Sequence, residues 1–422
     1  MTAATVPVKT WRHRIPPLLR EGVFRRYWSA QTISFVGDQV TMVALPLTAV
    51  FTLDVTSTQL GFLAAAGLLP NLLFSMHAGA WVDRRGQRRK TMIMMDAGRA
   101  VLLGSVPAAY FFGFLTLAQL FVVAFLVGSM GVIFNVATQG LFAAVVPRER
   151  YLEGMSLSRG TYSFSWVAGP SLGGLLVQAL SAPIAILADV ASFVGSGFLL
   201  RFAAADEPEG DQSQRGRIRE GLAFVRRTPT LMAKFVAGVA LNLFYSIYFA
   251  LFMLFAAREL HLSAGLIGLA LSAGAVGALV GSMLTNRVVK RIGLGVTFVL
   301  GSLVYPAALI LVPFAGGPAW KGFVLFTVAE FLSGAGMMLL DIPGSTIQQA
   351  ITPDRFRARV QGAYQAITYG ARPGGALLGG LLAGQLGLRP VLVLAVVGGV
   401  LSAIPLFTSP IPHMRDIPDE SE

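Results

Sequence analysis

Residues Gly79–Lys90 read GAWVDRRGQRRK, closing one apolar run (58–82) and preceding another (92–113). One aspartate, four arginines and a lysine crowd into a connection too short to leave a bilayer surface. Short loops rich in lysine and arginine resist translocation, so such a connection marks the cytoplasmic side of a membrane chain. Gly79 suits a close approach of two helices, and Gly86 suits a tight turn that a bulkier residue would strain. Charge alone makes this a basic surface loop. The ordered spacing Gly-x-x-x-Asp-Arg-x-Gly-x-Arg-Arg is more specific than that.

The composition rules out a soluble chain. Of 422 residues, 55% are hydrophobic and 13% charged, with a mean hydropathy of +0.67, so lipid must act as solvent for most side chains. A bilayer core of about 30 Å takes roughly 20 apolar residues per helix. Apolar runs of that length fall at 27–53, 58–82, 92–113, 116–145, 157–179, 183–203, 232–257, 264–289, 294–314, 321–350, 360–385 and 388–409. The expectation is an all-α integral membrane protein with twelve transmembrane helices. With the N-terminus inside, the inner tails, loops and helix ends hold every lysine and arginine except Arg258, Lys321, Arg372 and Arg389. That asymmetry puts both termini in the cytoplasm and accounts for the net charge of +12 without nucleic acid. Residues 1–26 read as a basic cytoplasmic tail with no cleavable apolar core, and 410–422 as a second tail. Cysteine is absent, which excludes a disulfide framework and thiolate metal sites.

One hydrophilic segment, 204–231, separates six spans (27–203) from six more (232–409). Its acidic start reads as a linker, and its arginine-rich remainder, with Leu222, Phe224 and Val225, as a short amphipathic surface helix. The halves repeat. VPRERYLEGMSLSRG (146–160) aligns with TPDRFRARVQGAYQA (352–366) at an offset of 206, which also superposes Gly169 on Gly375 and Gly173-Gly174 on Gly379-Gly380. At an offset of 207, Leu60-Gly61 falls on Ile267-Gly268, and the Asp83 loop on NRVVKRIG (286–293). Parallel six-helix repeats about an axis along the membrane normal are a transporter architecture.

Gly37-Asp38, the Asp83 loop, VPRER (146–150), AGPSLGG (168–174) and TPDRFRARVQG (352–362) together resemble the motifs of the major facilitator superfamily. They are most similar to those of drug and siderophore exporters related to macrolide efflux proteins and enterobactin exporters. The resemblance covers about residues 25–410. It implies the major facilitator fold of two pseudo-symmetric six-helix halves, with helices 1, 4, 7 and 10 lining a central cavity. It further implies a conformational gate at Gly79, Asp83, Arg84, Gly86, Arg88 and Arg89; from its position at the cytoplasmic end of helix 2, Asp83 is expected to face the positive N-terminal end of helix 11 when the cavity opens outward. AGPSLGG resembles the core of the exporters' antiporter motif, with Gly169, Pro170, Gly173 and Gly174 in place for close packing and a bend. Three departures stand out. Gln87 replaces the first basic residue after the gate glycine, and Ser156 and Ser165 replace two upstream glycines. The fourth span also lacks the arginine of classical proton-coupled exporters, so any proton relay runs elsewhere.

An acid held at mid-membrane costs roughly 2.5–3.5 kcal/mol on insertion scales and needs a reason. Asp38 lies near the middle of span 1, with Gln31, Ser34 and Thr41 on its helical face. Glu330, Ser333, Met337, Asp341 and Gln348 share one face of span 10. Asn135 and Gln139 in span 4, and Asn242 and Tyr245 in span 7, add uncharged polar groups. Arg372 follows Gln361, Gln365 and Thr368 on one face of span 11. Its guanidinium stays charged and must meet a carboxylate (Asp38, Glu330 or Asp341), a cavity, or an anionic substrate. Asp38, Glu330 and Asp341 read either as coupling acids or as structural partners of a cation; Asp189 reads as a structural hydrogen-bonding group, and His77 as a packed one. No nucleotide loop, metal-spaced His/Cys set or Ser-His-Asp arrangement is present, so neither an enzyme nor a bound metal or cofactor is expected. The expected protein is a monomeric secondary transporter of the cell (inner) membrane. It exports an amphipathic, drug-like small molecule by alternating access in exchange for protons. A siderophore or lipid-like metabolite is the alternative cargo, and a non-transporting receptor or scaffold the more distant reading.

Overall fold

The structure, a computed structural model, describes residues 16–203 and 217–416. The side chains of Met76, Ala80, Asp83, Arg217, Ile218, Arg219, Gly221, Asp354, Arg355 and Ala358 are also outside the description. The tail expected at 1–15, the linker expected at 204–216, the last residues of the second tail and the side chain of Asp83 therefore lie outside the described residues.

Twelve long helices cross the molecule. The first six are α1 (Gly22–Thr52), α2 (Ser57–Arg85), α3 (Arg88–Phe111), α4 (Leu117–Val145), α5 (Tyr151–Leu180) and α6 (Ala182–Arg201). The second six are α7 (Pro229–Arg258), α8 (Ala264–Ile292), α9 (Leu294–Ala307), α10 (Ala319–Ile351), α11 (Asp354–Leu386) and α12 (Leu388–Leu401). Among the described residues, ten of these are long and apolar enough to span a bilayer by composition, α9 and α12 together with the short turns that continue them to Leu311 and Phe407. The exceptions are α5 and α11, equivalent in the sequence repeat, whose apolarity is diluted by residues such as Arg159 and Ser163, and Gln361, Gln365 and Arg372.

Helix ends follow local chemistry. Thr56 and Gln59 form a reciprocal capping box at the start of α2. Gly86 ends α2 with φ +64°, and its repeat equivalent Gly293 ends α8 with φ +90°, a region only glycine enters freely. α1 starts at Gly22, inside the stretch read as tail, and a short helix, Pro17–Arg20, precedes it with Leu18 fully buried. The surface helix expected after the linker spans Arg217–Arg227. It docks on α11 through Phe224 stacked 5.0 Å from Phe356 and through a Glu220–Arg359 ion pair. At the other end of the chain, Leu294 and Gly295 donate backbone bonds to Arg415 and Met414, so residues after α12 cap the start of α9.

The halves pack by one scheme: α1 on α5 and α6, α2 on α4, and α3 on α4 and α6 recur as α7 on α11 and α12, α8 on α10, and α9 on α10 and α12. Contact between halves runs through α2–α11 and α5–α8. A Cβ on Gly61 would stand 2.6 Å from Gly380 Cα and 2.7 Å from Ala376 O. A Cβ on Gly174 would stand 2.9 Å from Gly268 Cα. Thr58 Oγ1 donates to Gly380 O (3.0 Å), Ser171 Oγ to Ser272 Oγ (2.6 Å), and the Gly265 amide to Gln178 Oε1 (3.0 Å). Arg258 and Asp54 form an ion pair at the same end. All of these joints lie toward the face opposite the Asp83 loop. Toward the basic face α5 sheds its cover, with Tyr162, Phe164 and Trp166 exposed, as are most described side chains of α2 from Asn71 to His77. The cleft between the halves opens on the basic face.

Two outcomes test this frame. Gly61→Val should force α2 from α11, destabilising by about 1–3 kcal/mol as overpacking does, whereas Gly67→Val on the same helix, with nothing within 4 Å, should not. Equal melting temperatures in detergent would refute the crossing. The second concerns Glu153, in the first turn of α5 outside the apolar span. It accepts the Leu18 amide at 2.8 Å and Arg150 at 3.0 and 2.8 Å. Chiefly the backbone bond, and then Arg150, hold its carboxyl below its ordinary value. A depressed folded pKa contributes stability above the unfolded value that disappears as pH falls through the folded one. Protection of the Leu18 amide, corrected for intrinsic exchange, should therefore be lost on acidification below the ordinary carboxylate range, and already at neutral pH in Glu153→Gln. Unchanged protection in Glu153→Gln would remove the tether.

Candidate functional site

Two polar assemblies sit at membrane depth, one in each half. In the first, Arg99 of α3 lies between the rings of Phe134 and Phe193, at 4.3 and 4.1 Å, a geometry that favours a desolvated guanidinium. It pairs with Asp96 one turn earlier and reaches Asp38 of α1 at 3.5 Å. Beside Asp38, the α6 residue Asp189 accepts from Thr41 and, at 2.8 Å, from Ser192. Arg99, Asp96 and Asp189 are buried, whereas the Asp38 side chain is 40% exposed. Three carboxylates around one guanidinium would carry a net charge of minus two if all were ionised. Burying such an excess is costly, and Asp38 is the acid of the set that reaches water.

The second assembly is a cavity of about 170 Å³ in the C-terminal half, walled by α7, α9, α10 and α11 and by Ser402 and Leu406 after α12. Arg372 Nε donates to Asn242 Oδ1 at 2.8 Å, and its guanidinium lies 4.2 Å from the Tyr369 ring. Two turns along α7, buried Lys234 donates to Gly344 O (2.6 Å) and Gln348 Oε1 (2.7 Å). Gln348 in turn donates to Gln361 Oε1 at 2.8 Å. Asp341 is exposed in the same cavity, with Tyr245, Tyr305 and Tyr364.

A sequence profile described as transmembrane secretion effector matches residues 15–422. The chain belongs to this family of the major facilitator superfamily. It is thus a multi-pass secondary transporter and not an enzyme. It is 27% identical over 405 residues to the multidrug efflux pump Tap of Mycolicibacterium fortuitum, covering 90% of this chain and 93% of that one. It is 26% identical over 388 residues to the uncharacterized MFS-type transporter YfiS of Bacillus subtilis, with 90% and 91% covered. Among solved structures, a bacterial homologue of the iron transporter ferroportin in the inward-facing state superposes with a TM-score of 0.73 at 20% identity, covering 93% of this chain and 99% of that one. The nucleoside transporter NupG superposes with a TM-score of 0.71 at 14% identity, covering 92% and 98%. These superpositions carry the fold alone.

Within this transporter, the residues singled out from sequence separate into distinct places. Asn135 and Gln139 are exposed on α4. Gln31 is buried and donates to Thr138 Oγ1 at 3.1 Å, so most of the polar stripe on α1 is spent on α4 and α6, leaving Asp38 to reach water. Asn242, Tyr245, Asp341 and Arg372 come together in the C-terminal cavity, but Glu330 does not join them; Tyr248 donates to it at 3.3 Å. Arg372 has no carboxylate within ion-pair distance among the described residues, and the cation beside Asp38 is Arg99 instead. Of the gate, Arg89 donates to Arg201 O at the end of α6 (3.1 Å), Arg88 lies against Gly140 of α4, and Arg84 is exposed. A Cβ on Gly79 would meet nothing within 4 Å among the described residues, so the close approach expected there is not made in this conformation. In the α5 motif, Gly169 and Gly173 receive α1, while Pro170 and Gly174 receive Gly268 of α8.

Sequence reasoning overlooked Asp96, Lys234, Tyr305 and Tyr364, and treated Arg99 as one more inner cation. Asp96 lies eight residues inside α3, about 12 Å along the axis at 1.5 Å per residue, and its i,i+3 relation to Arg99 was the available signal. Arg99→Gln should cost about 3–5 kcal/mol, because carboxylates lose their buried cation, and adding Asp96→Asn should recover part of it. Melting of Arg99→Gln like the unmodified chain would show that the assembly is not a charge network.

Proposed function

We propose that this protein exports an amphipathic small molecule across the cell membrane in exchange for protons, as a monomer with both termini in the cytoplasm. The observation that carries the reading is the half-exposed Asp38, the one water-accessible member of a buried set whose acids outnumber its cation. The likeness to a multidrug efflux pump over 90% of the chain supports a drug-like cargo, and the concentration of cations on one face supports the orientation. In that orientation the cleft opens to the cytoplasm, where cargo for export is loaded. The Asp83 loop acts as a gate: on closure of the basic face, Asp83 meets the positive N-terminal end of α11, where residues 352–362 repeat 146–156 at the start of α5.

Everted membrane vesicles with an acidified lumen supply the test. An amphipathic fluorescent dye identified by an accumulation screen in an efflux-deficient host should concentrate inside only while the proton gradient lasts. Asp38→Asn should keep downhill dye exchange and lose accumulation. Accumulation by Asp38→Asn at the unmodified rate would place coupling elsewhere, and dye movement indifferent to the gradient would end the exchange reading.

A further inference from the structure

The C-terminal cavity holds two cations and one acid, yet no ion pair forms among them. Lys234 is 7% exposed and satisfied by two neutral oxygens, Gly344 O and Gln348 Oε1. An ammonium has three donors, which leaves one, and the Tyr364 ring lies 4.9 Å from its nitrogen. Arg372 spends only Nε, on Asn242, and that asparagine is itself fixed by donating to Gly238 O at 2.9 Å. Both terminal nitrogens of the guanidinium therefore lack protein acceptors among the described residues. A guanidinium oriented through Nε and stacked on Tyr369 presents its planar fork outward, which is the arrangement that takes a carboxylate in two parallel hydrogen bonds.

The remaining lining narrows the ligand. Phe298, Tyr245, Tyr305 and Tyr364 supply ring surface, and Tyr245 and Tyr305 have centroids 5.4 Å apart. Asp341 is the only acid lining the cavity among its described residues, so positive charge exceeds negative by one. Lys234 and Asn242 are eight residues apart on α7, about 12 Å along the helix. Asp341 lies on α10, one turn before the Gly344 carbonyl that holds Lys234. A buried cation without a carboxylate is costly to maintain, and a structural role would have been served by pairing it with Asp341. The unspent donors, the ring walls and the excess charge have one use in common.

We propose that this cavity is the anion-recognising part of the cargo site, and that its ligand is an aromatic molecule bearing a carboxylate. Arg372 grips the carboxylate, Lys234 adds the second positive charge, and the tyrosines hold the ring. This rests on the transport reading above and assigns its cargo a chemical class.

The probe pair is 2-naphthoate and its neutral counterpart 2-naphthalenemethanol, with binding to the full chain in detergent measured by equilibrium dialysis. The acid should bind at least tenfold more tightly than the alcohol, a comparison that needs no variant. Arg372→Gln and Lys234→Gln should each weaken the acid about tenfold, the scale of one lost charge-assisted bond, and shift the alcohol less than twofold. Arg372→Lys, which keeps charge but loses the fork, should fall between. Equal affinity for acid and alcohol, no binding of either, or variants that bind the acid as before would each overturn the assignment. The measurement needs no gradient. Loss of proton-driven export with acid selectivity intact would count against exchange alone, and loss of selectivity with export intact against the anion site alone.

Discussion

Four glycines set the limits within which everything else in this protein operates. Gly61 meets Gly380 where α2 crosses α11, and Gly268 meets Gly174 where α8 crosses α5. The two crossings are images of each other under the sequence repeat, since Gly61 corresponds to Gly268 and Gly174 to Gly380. Their flanks correspond as well: Thr58 against Gly384 on one side becomes Gly265 against Gln178 on the other. Backbone-to-backbone contact has little side-chain interlock, so two rigid halves can pivot without repacking a core. A β-carbon at any of the four positions would add bulk at the pivot itself.

The pseudo-symmetry of the frame does not extend to the chemistry placed on it. Asp38 on α1 and Arg99 on α3 correspond, at offsets of 207 and 206, to Tyr245 on α7 and Tyr305 on α9. The N-terminal half thus holds an ionic assembly where the C-terminal half holds paired rings. The C-terminal half in turn keeps its charges closer to the basic face, at Lys234 and Asp341, and on α11, at Arg372. One half became acidic and sealed, with a single exposed carboxylate; the other became cationic and hollow. A repeat specifies backbone packing, which depends on small residues at fixed offsets, and leaves the polar side chains free to diverge.

This division also accounts for what could be read in advance. The fold was legible because lipid solvation demands long apolar runs, and because glycines at an offset of 206 or 207 announce a duplicated pivot. Gly169, Pro170, Gly173 and Gly174 were recognisable for the same reason, although sequence could not tell that the first and third receive α1 while the others receive α8. The partners of the charges were not legible. Arg372 and Asp38 both needed a counterpart, and pairing them satisfied every rule of local chemistry, but which helix faces which is decided by tertiary packing. Arg99 was discounted because it follows the basic loop so closely in sequence. In a helix, even two or three turns carry a side chain about a dozen ångströms in depth. Lys234 escaped for the mirror-image reason, standing near the start of α7 yet roofed by Gly344 and Gln348.

An acidic head at Arg372 and proton exchange at Asp38 constrain each other through electrostatics. Exchange requires that a proton and the cargo oppose one another's binding. A purely anionic cargo does the reverse, because an ionised Asp38 across the cleft repels it and protonation of Asp38 relieves the repulsion, which couples the two in the same direction. The two assignments are compatible when the cargo also carries a cationic centre that reaches Asp38, so that proton and cation compete for one carboxylate while the acidic head stays on the opposite half. Such a molecule would bridge the cleft, anionic end toward α11 and cationic end toward α1. A proton arriving at Asp38 would then release the bridge from the N-terminal half. The exposed Asp38 and an Arg372 that meets no carboxylate among the described residues are consistent with a ligand of that polarity, and the pivot glycines allow the halves to part once it has gone.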